Sequence, residues 1–429
     1  MKKQLLSAIL VTTVILSLGG CGKPDPQLPA ISTGNAGELA TDFQKNMNQS
    51  TSSQIKSMCE TESGYYFEYD CKAYYLDKTT AATTILCAKP ECTHSTNECN
   101  AFVDSPFLAY YNGKLYSSRN DYVEEKGGVT NKGERLHSRG LDGGNHDVIQ
   151  NLDFTPGGDS NNYITAPMIH RGMIYFAYSG KLYAVTLGDK IENAVSIYGE
   201  EQFSDGSNII NPNELYYELW ADDDIVYFMA KNVRQSDGTY KDTLFCYDPK
   251  SKKTSEIWKV PNKSEVGTWD TTGVSVSRWY VNDGYIYFYL SGNDIWKTEL
   301  STGKTSKVVD LELPAGAASF SDDVICVINQ SVYGTNMMGG GAALTGGDTL
   351  YVYGYDGTLL NEISLKQIYK DCANVSICEI LWIDDGEVYV HADATDVGVN
   401  GAMTTQRHHM YRINIESGSL TKIDWVIGK

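Results

Sequence analysis

Positive charge is scarce in this chain: 35 Lys and Arg stand against 54 Asp and Glu in 429 residues, a formal net charge of −19. With no Lys/Arg stripe, that balance argues against a nucleic-acid binder or a polybasic membrane-surface binder. No second long apolar run follows the N-terminal one, so nothing later in the sequence reads as a membrane span. A long amphipathic helix pattern is also missing beyond the N-terminal region, which removes helical bundles. Catalytic signatures are absent as well. There is no Gly-x-Ser-x-Gly elbow and no His-Glu-x-x-His helix, and the glycines of Met338-Gly-Gly-Gly-Ala-Ala-Leu-Thr-Gly-Gly347 do not have the spacing of a phosphate loop. What is present is an ordinary globular balance, 41% hydrophobic and 21% charged, enough to bury a core. Tyrosine dominates the aromatics, 30 against 11 Phe and 7 Trp, a usage typical of sheet surfaces.

Residues 1–20 read as an export signal, with Lys2 and Lys3 ahead of an apolar stretch from Leu5 to Leu18. The stretch is short for a bilayer-spanning helix. It ends in Leu18-Gly19-Gly20-Cys21, which resembles the lipobox of bacterial lipoproteins. The resemblance implies that Cys21 receives a diacylglyceryl lipid, with palmitate-type chains, and becomes the mature N-terminus. Residues 21–53 are rich in Pro, Ser, Thr, Asn and Gly without apolar periodicity, and read as a lipid-anchored tether.

The remainder, residues 54–429, is built on a repeat: Gly or Asp, any residue, a mostly apolar residue, then Tyr, Phe or Cys. It occurs at Gly64-Tyr-Tyr-Phe67, Gly113-Lys-Leu-Tyr116, Gly172-Met-Ile-Tyr175, Asp224-Ile-Val-Tyr227, Gly284-Tyr-Ile-Tyr287, Asp323-Val-Ile-Cys326 and Gly386-Glu-Val-Tyr389. The mean period of about 54 residues accommodates one four-stranded blade with insertions. The fifth unit shows the strands most plainly: A from Ser277 to Val281, B from Tyr285 to Leu290, C from Ile295 to Leu300 and D from Thr305 to Leu311. Asn112-Gly113, Asp283-Gly284 and Asp385-Gly386 are dipeptides that accept positive φ in tight hairpins. Each small sheet can bury its faces only against its neighbours, so the fold class is all-β, a single β-propeller of seven four-stranded blades. The alternatives are six blades, because strand A of the first unit is indistinct, and a ring closed by a strand donated across the termini. The acidic runs at Asp222-Asp223-Asp224, Asp322-Asp323 and Asp384-Asp385 fall in A–B turns and are expected to be solvated hairpin tips.

The repeats resemble those of TolB-like and lipoprotein-receptor-like β-propellers. A closer likeness, at Tyr74-Tyr-Leu-Asp-Lys78, Leu86-Cys87-Ala-Lys-Pro-Glu-Cys92-Thr-His94 and Cys99-Asn-Ala101, is to uncharacterised propeller lipoproteins of anaerobic Firmicutes. It implies a lipoprotein on the extracytoplasmic face of the bacterial cell membrane and carries no activity with it. Trp-Asp blade endings, kelch Gly-Gly pairs and Asp-boxes are absent.

In a propeller the B–C and D–A connections share one face, and here those connections hold the insertions. The B–C insertions fall at about 119–133, 231–242, 330–348 and 393–407, and the D–A insertions at 88–106, 154–166, 199–217 and 260–273. A ligand site is expected on that face, with Tyr122, Arg234, Tyr240, Trp269, Tyr333 and Arg407 as contact residues. His391, Asp393, His408 and His409 flank the last B–C insertion, where alternation sends His408 and His409 to opposite faces. His170 is expected at the surface. The chain is thus expected to be a membrane-anchored binding or protein-interaction propeller for a peptide, glycan or protein. The alternative is a propeller hydrolase or lyase acting on a glycan or peptide.

Nine cysteines follow Cys21. Cys246 and Cys326 lie within strands and read as small buried hydrophobes. Cys87, Cys92, His94 and Cys99 fall together on the D–A connection after the first blade, where three thiolates and an imidazole would complete a tetrahedral zinc shell. Export favours disulfides instead, with Cys92–Cys99, Cys372–Cys378 and Cys59 or Cys71 with Cys87 as candidate pairs. Free thiols are the third alternative. In each case the expected role is structural.

Overall fold

The computed structural model describes residues 57–423 except 88, 90, 95–98, 104–106, 126–127, 154–163, 179, 200–216, 223, 262–275, 291–293, 312–314, 330–348, 372–374 and 398–402. The signal segment, Cys21 and the tether lie outside the described residues, as do Trp269, Tyr333 and the glycine-rich run before Gly347. Among the described residues no helix is long and apolar enough to cross a membrane.

Seven four-stranded antiparallel sheets follow one another, and in each the strands pair in sequence order, A to B to C to D. The chain is a seven-bladed β-propeller. Every one of the seven repeat motifs runs into a strand B, from Gly64–Tyr69 in blade 1 to Glu387–Val397 in blade 7. Both faces of these strands are covered by neighbouring blades, so strand B is apolar without alternation: Ile286, Tyr287, Phe288 and Tyr289 are all buried. Asn112-Gly113, Asp283-Gly284 and Asp385-Gly386 each have positive φ at both residues, as does Arg171-Gly172. That backbone is the tight hairpin turn whose twist matches the strands it joins.

Blade 1 does possess a strand A, Met58–Glu60, three residues long, which removes the six-blade alternative. Ring closure needs no donated strand, because blades 1 and 7 are each made of four consecutive strands. They meet by side-chain packing: Met58, Tyr65, Phe67 and Tyr74 of blade 1 share a core with Leu381, Trp382, Tyr389 and Met410 of blade 7. The Trp382 ring stacks on Tyr389 at 4.4 Å between centroids and lies 4.9 Å from that of Tyr65. Similar aromatic cores join the other blades, as with Trp220, Trp279 and Tyr280 between blades 4 and 5.

The acidic turns depart from expectation. They are not simply solvated tips but clasps between blades. Asp384, in the A–B turn of blade 7, accepts hydrogen bonds from Tyr65 of blade 1 and pairs with Lys78 of blade 1 at 2.9 Å. Asp322 of blade 6 accepts from the Tyr280 hydroxyl of blade 5, and its carbonyl from Asn282 at 2.9 Å. Asp224 of blade 4 pairs with Arg171 of blade 3 and with Lys250 of its own C–D turn. Radially arranged turns on one face bring each acidic residue beside a neighbouring blade, a proximity that local sequence does not carry. His170 is a further correction: it ends strand A of blade 3 and is buried rather than at the surface.

Candidate functional site

Three of the expected B–C loops are strand. In blade 2, strands B and C run Lys114–Glu125 and Gly128–Arg139, twelve residues each. In blade 4 they run Ile225–Arg234 and Tyr240–Asp248, and in blade 7 Glu387–Val397 and Met403–Asn414. Strand B of blade 5, Tyr285–Leu290, has six residues. The excess is up to about six residues, or ~20 Å of hairpin arm beyond the blade body. In blades 2 and 4 the register shifts where the arm leaves the body, between Asn120 and Tyr122 and between Ala230 and Val233. Such a bulge bends the strand and strengthens its twist, so it re-aims the arm.

The expected contact residues therefore sit on arms rather than loops. Tyr122 pairs with Asn131 in the arm of blade 2. Arg234 stands directly opposite Tyr240 at the last pair of the blade 4 arm, and Tyr240 is exposed. Arg407 pairs with Ala394 in the arm of blade 7. The arms belong to three separate blades, 2, 4 and 7. At the base of the blade 7 arm, His391 is fully buried. The register places Met410 opposite His391, His409 opposite Ala392 and His408 opposite Asp393.

Strand A of neighbouring blades touches around the ring, as in blades 1 and 2, 2 and 3, and 6 and 7, which makes it the innermost strand. Here the structure adds residues that the sequence reading missed. Arg278, on strand A of blade 5, feels the carboxylates of Glu218 from blade 4 and Glu379 from blade 7. Blades 5 and 7 are not consecutive in the ring. Burial draws the Arg278 pKa down, and the two carboxylates oppose it. Glu218 also accepts from the Trp279 indole N–H and lies 3.6 Å from the Lys231 ammonium, which in turn is 3.4 Å from the buried Asp242. The available signal was one charged residue near the start of an otherwise apolar strand, as in Tyr217-Glu-Leu-Trp220 and Val276-Ser-Arg-Trp279.

The cysteine cluster assembles. The ligating atoms of Cys87, Cys92, His94 and Cys99 all lie within 4.8 Å of one another, and Nδ1 of His94 is 3.3 Å from Sγ of Cys99. Two tight turns build it, closed by the Cys92 amide on the Lys89 carbonyl at 3.1 Å and the Phe102 amide on the Cys99 carbonyl at 3.1 Å. The backbone amide two residues on donates to sulfur in both halves, Lys89 to Cys87 and Ala101 to Cys99. Burial works against the Cys87 thiolate, yet the amides of Lys89 and Asn100 and the neighbouring thiols outweigh it and hold its pKa below the usual thiol range. Burial pushes Cys99 up to about 12, with the neighbouring sulfurs adding to it. His94 adopts φ 56, a left-handed conformation disfavoured for a residue with a side chain. Cys59, Cys87, Cys92 and Cys99 form no disulfide, so the Cys92–Cys99 pairing and the pairing of Cys87 with Cys59 or Cys71 are set aside. Cys71 sits exposed in the B–C turn of blade 1, at φ 57. Cys372 and the side chain of Cys378 lie outside the described residues. Cys246 and Cys326 are buried in strands, as expected.

The cluster bridges blades 1 and 2. Its second half pairs with blade 1 through Ala73 N–H on the Ala101 carbonyl at 2.7 Å and Val103 N–H on the Cys71 carbonyl at 2.9 Å. Arg139 of blade 2 donates to the Asn100 carbonyl at 2.7 Å and the Phe102 carbonyl at 3.2 Å. Gly143 of blade 2, at φ +80, approaches so closely that a Cβ there would stand 2.3 Å from the Leu86 carbonyl oxygen.

No family model matches the chain, and no curated protein matches it either. Among solved structures it is similar to the computationally designed Ika8 protein, at 12% identity and TM-score 0.44 over 89% of each chain. It is also similar to the extracellular domain of the putative one component system BT4673 from B. thetaiotaomicron, at 11% identity and TM-score 0.42 over 89% of this chain and 47% of that one. An oligogalacturonate lyase in complex with manganese is similar at 9% identity and TM-score 0.39, over 66% of this chain and 75% of that one. Likeness at this level says nothing of what this chain binds.

Proposed function

We propose that the chain is an extracytoplasmic binding or protein-interaction propeller, held to the bacterial membrane through a lipid on Cys21. The observation that carries the binding role is the asymmetry of the ring: blades 2, 4 and 7 all project hairpin arms on their B–C side, while the A–B turns stay tight. A peptide, glycan or protein would be gripped between arms, with Arg234, Tyr240, Tyr122 and Arg407 supplying contacts and the charged residues at the channel reading polar groups. Aromatic and arginine side chains on rigid strands give contact area at low entropic cost. The Cys/His cluster would take zinc, in a structural role, because three sulfurs and one imidazole match its tetrahedral preference. Lipid attachment rests on the sequence Leu18-Gly-Gly-Cys21 and is tested separately: Cys21→Ser should accumulate precursor or release the protein without detergent, and a soluble, fully processed wild type would overturn it.

A hydrolase or lyase acting through carboxylates of the innermost strands is the second reading, supported by Glu218 and Glu379, whose charges both act on Arg278. Both are tested by incubating the full chain with cell-wall, glycan and peptide libraries while recording retention and product formation. Retention lost on Arg234→Ala and Tyr240→Ala, with no products, is the expected result. Turnover abolished by Glu218→Gln or Glu379→Gln would replace the binding reading with the enzymatic one.

A further inference from the structure

Arg139 ends strand C of blade 2 and is 1% exposed. Its guanidinium donates to the carbonyls of Asn100 and Phe102 and to the Ser117 hydroxyl, all neutral acceptors. Among the described residues no carboxylate pairs with it, and its Nε has no acceptor. A buried charge without a counter-charge is strongly destabilising, and Arg119, which lies near enough to act on it, adds like charge. Its hold on the carbonyl of Asn100, the residue that follows Cys99, at 2.7 Å sets the guanidinium against the segment that carries the cluster.

Charge decides between the states of the cluster. A pair of disulfide-bonded cysteines with a neutral imidazole leaves at most one thiol to ionise, and protonated thiols give Arg139 nothing. A divalent cation held by three thiolates and one neutral imidazole carries one net negative charge, which one buried guanidinium cancels. The amide donors at Cys87 and Cys99 are likewise those that a thiolate accepts and a disulfide does not need.

We propose that Cys87, Cys92, His94 and Cys99 hold one divalent cation of the zinc class with all three sulfurs as thiolates, and that Arg139 is the built-in counter-charge for this monoanionic centre. The proposal rests on the zinc reading of the cluster and is independent of what the arms bind. It makes the centre a charge-neutral staple between blades 1 and 2, since Arg139 belongs to blade 2 and the ligands follow blade 1. Binding would displace the remaining thiol protons to solvent as the sulfur–metal bonds form.

The test uses the full chain, purified in detergent, with zinc content, chelator competition and thermal melting read for four proteins: wild type, Arg139→Met, Cys99→Ser and the double variant. The wild type should contain about one zinc per chain, and Cys99→Ser should lose it. Arg139→Met should weaken zinc retention against chelator by about 10- to 100-fold, the range for partners of metal ligands, and lower the melting temperature. In the Cys99→Ser background the same substitution should raise the melting temperature, because it removes a charge left without its partner. That reversal of sign is what a purely packing role for Arg139 would not produce. If Arg139→Met alone does not fold, Arg139→Lys should retain zinc within a few-fold of wild type, and the comparison in the Cys99→Ser background still stands. A zinc-loaded wild type in which Arg139→Met leaves retention unchanged, or lowers melting equally in both backgrounds, overturns the counter-charge and leaves the metal. A reduced, metal-stripped wild type that takes up no zinc overturns the metal reading itself.

Discussion

The two faces of this ring are made from the same seven blades and differ in what their connections do. On the A–B and C–D side, the A–B turns are tight, and acidic residues reach across to a neighbouring blade: Asp384 to Tyr65 and Lys78, Asp322 to Tyr280, Asp224 to Arg171. On the B–C and D–A side, strands overrun the blade body as arms, and Tyr240 and Arg234 end one of them. The difference separates two tasks. One face joins blades through its turns; the other also holds blades 1 and 2 together at the Cys/His cluster, while its arms extend beyond the blade bodies and are free to carry contacts.

Substitutions that break this division can be ranked. The largest effect is expected at the closing seam, where Trp382→Ala deletes a buried ring that packs on Tyr65 and Tyr389; a loss of about 3–5 kcal/mol should appear in chemical denaturation. Next comes Lys78→Met. Lys78 pairs with Glu60 and Asp384 at once, with all three side chains partly solvated, so removing it should cost about 1–2 kcal/mol, less than a fully buried pair.

A smaller effect is set by pH. Glu60 is pushed up from its ordinary 4.5 to about 7, first by burial and then by the Asp384 carboxylate, with Lys78 opposing. A carboxyl whose pKa is raised by folding contributes stability below its unfolded value and loses it as pH rises through its folded value. The wild type should therefore lose stability relative to Glu60→Gln between pH 4.5 and 7, and melting curves of the two across that window check it. A constant gap would show that Glu60 is ionised in the fold throughout. Smallest of all, Tyr240→Ala should change stability by less than about 0.5 kcal/mol, as at an exposed position.

Much of this was legible in the sequence. The seven motifs located every strand B because aromatic strands buried on both faces and Asx-Gly turns are local signals. The closing contacts were not, since Tyr65 and Asp384 meet across most of the chain and an acidic doublet looks the same whether it faces water or a neighbour. The arms were mistaken for loops because their strands are polar, although Asp237-Gly238, at φ 82 on the glycine, is itself a turn dipeptide and marks the tip of the blade 4 hairpin. Cys87, Cys92, His94 and Cys99 could be grouped because they are close in sequence. Arg139 could not be added to them, since only the packing of blade 2 on blade 1 brings it there.

The central claim, that one face holds the ring and the other binds, is tested most directly by measuring retention of cell-wall, glycan and peptide pools together with melting temperature for two pairs of variants. The account predicts that Arg234→Ala and Tyr240→Ala lose retention at unchanged melting temperature, while Lys78→Met and Asp384→Asn melt lower yet retain ligand when folded. Retention that survives both arm substitutions and disappears with the folded clasp variants would contradict it.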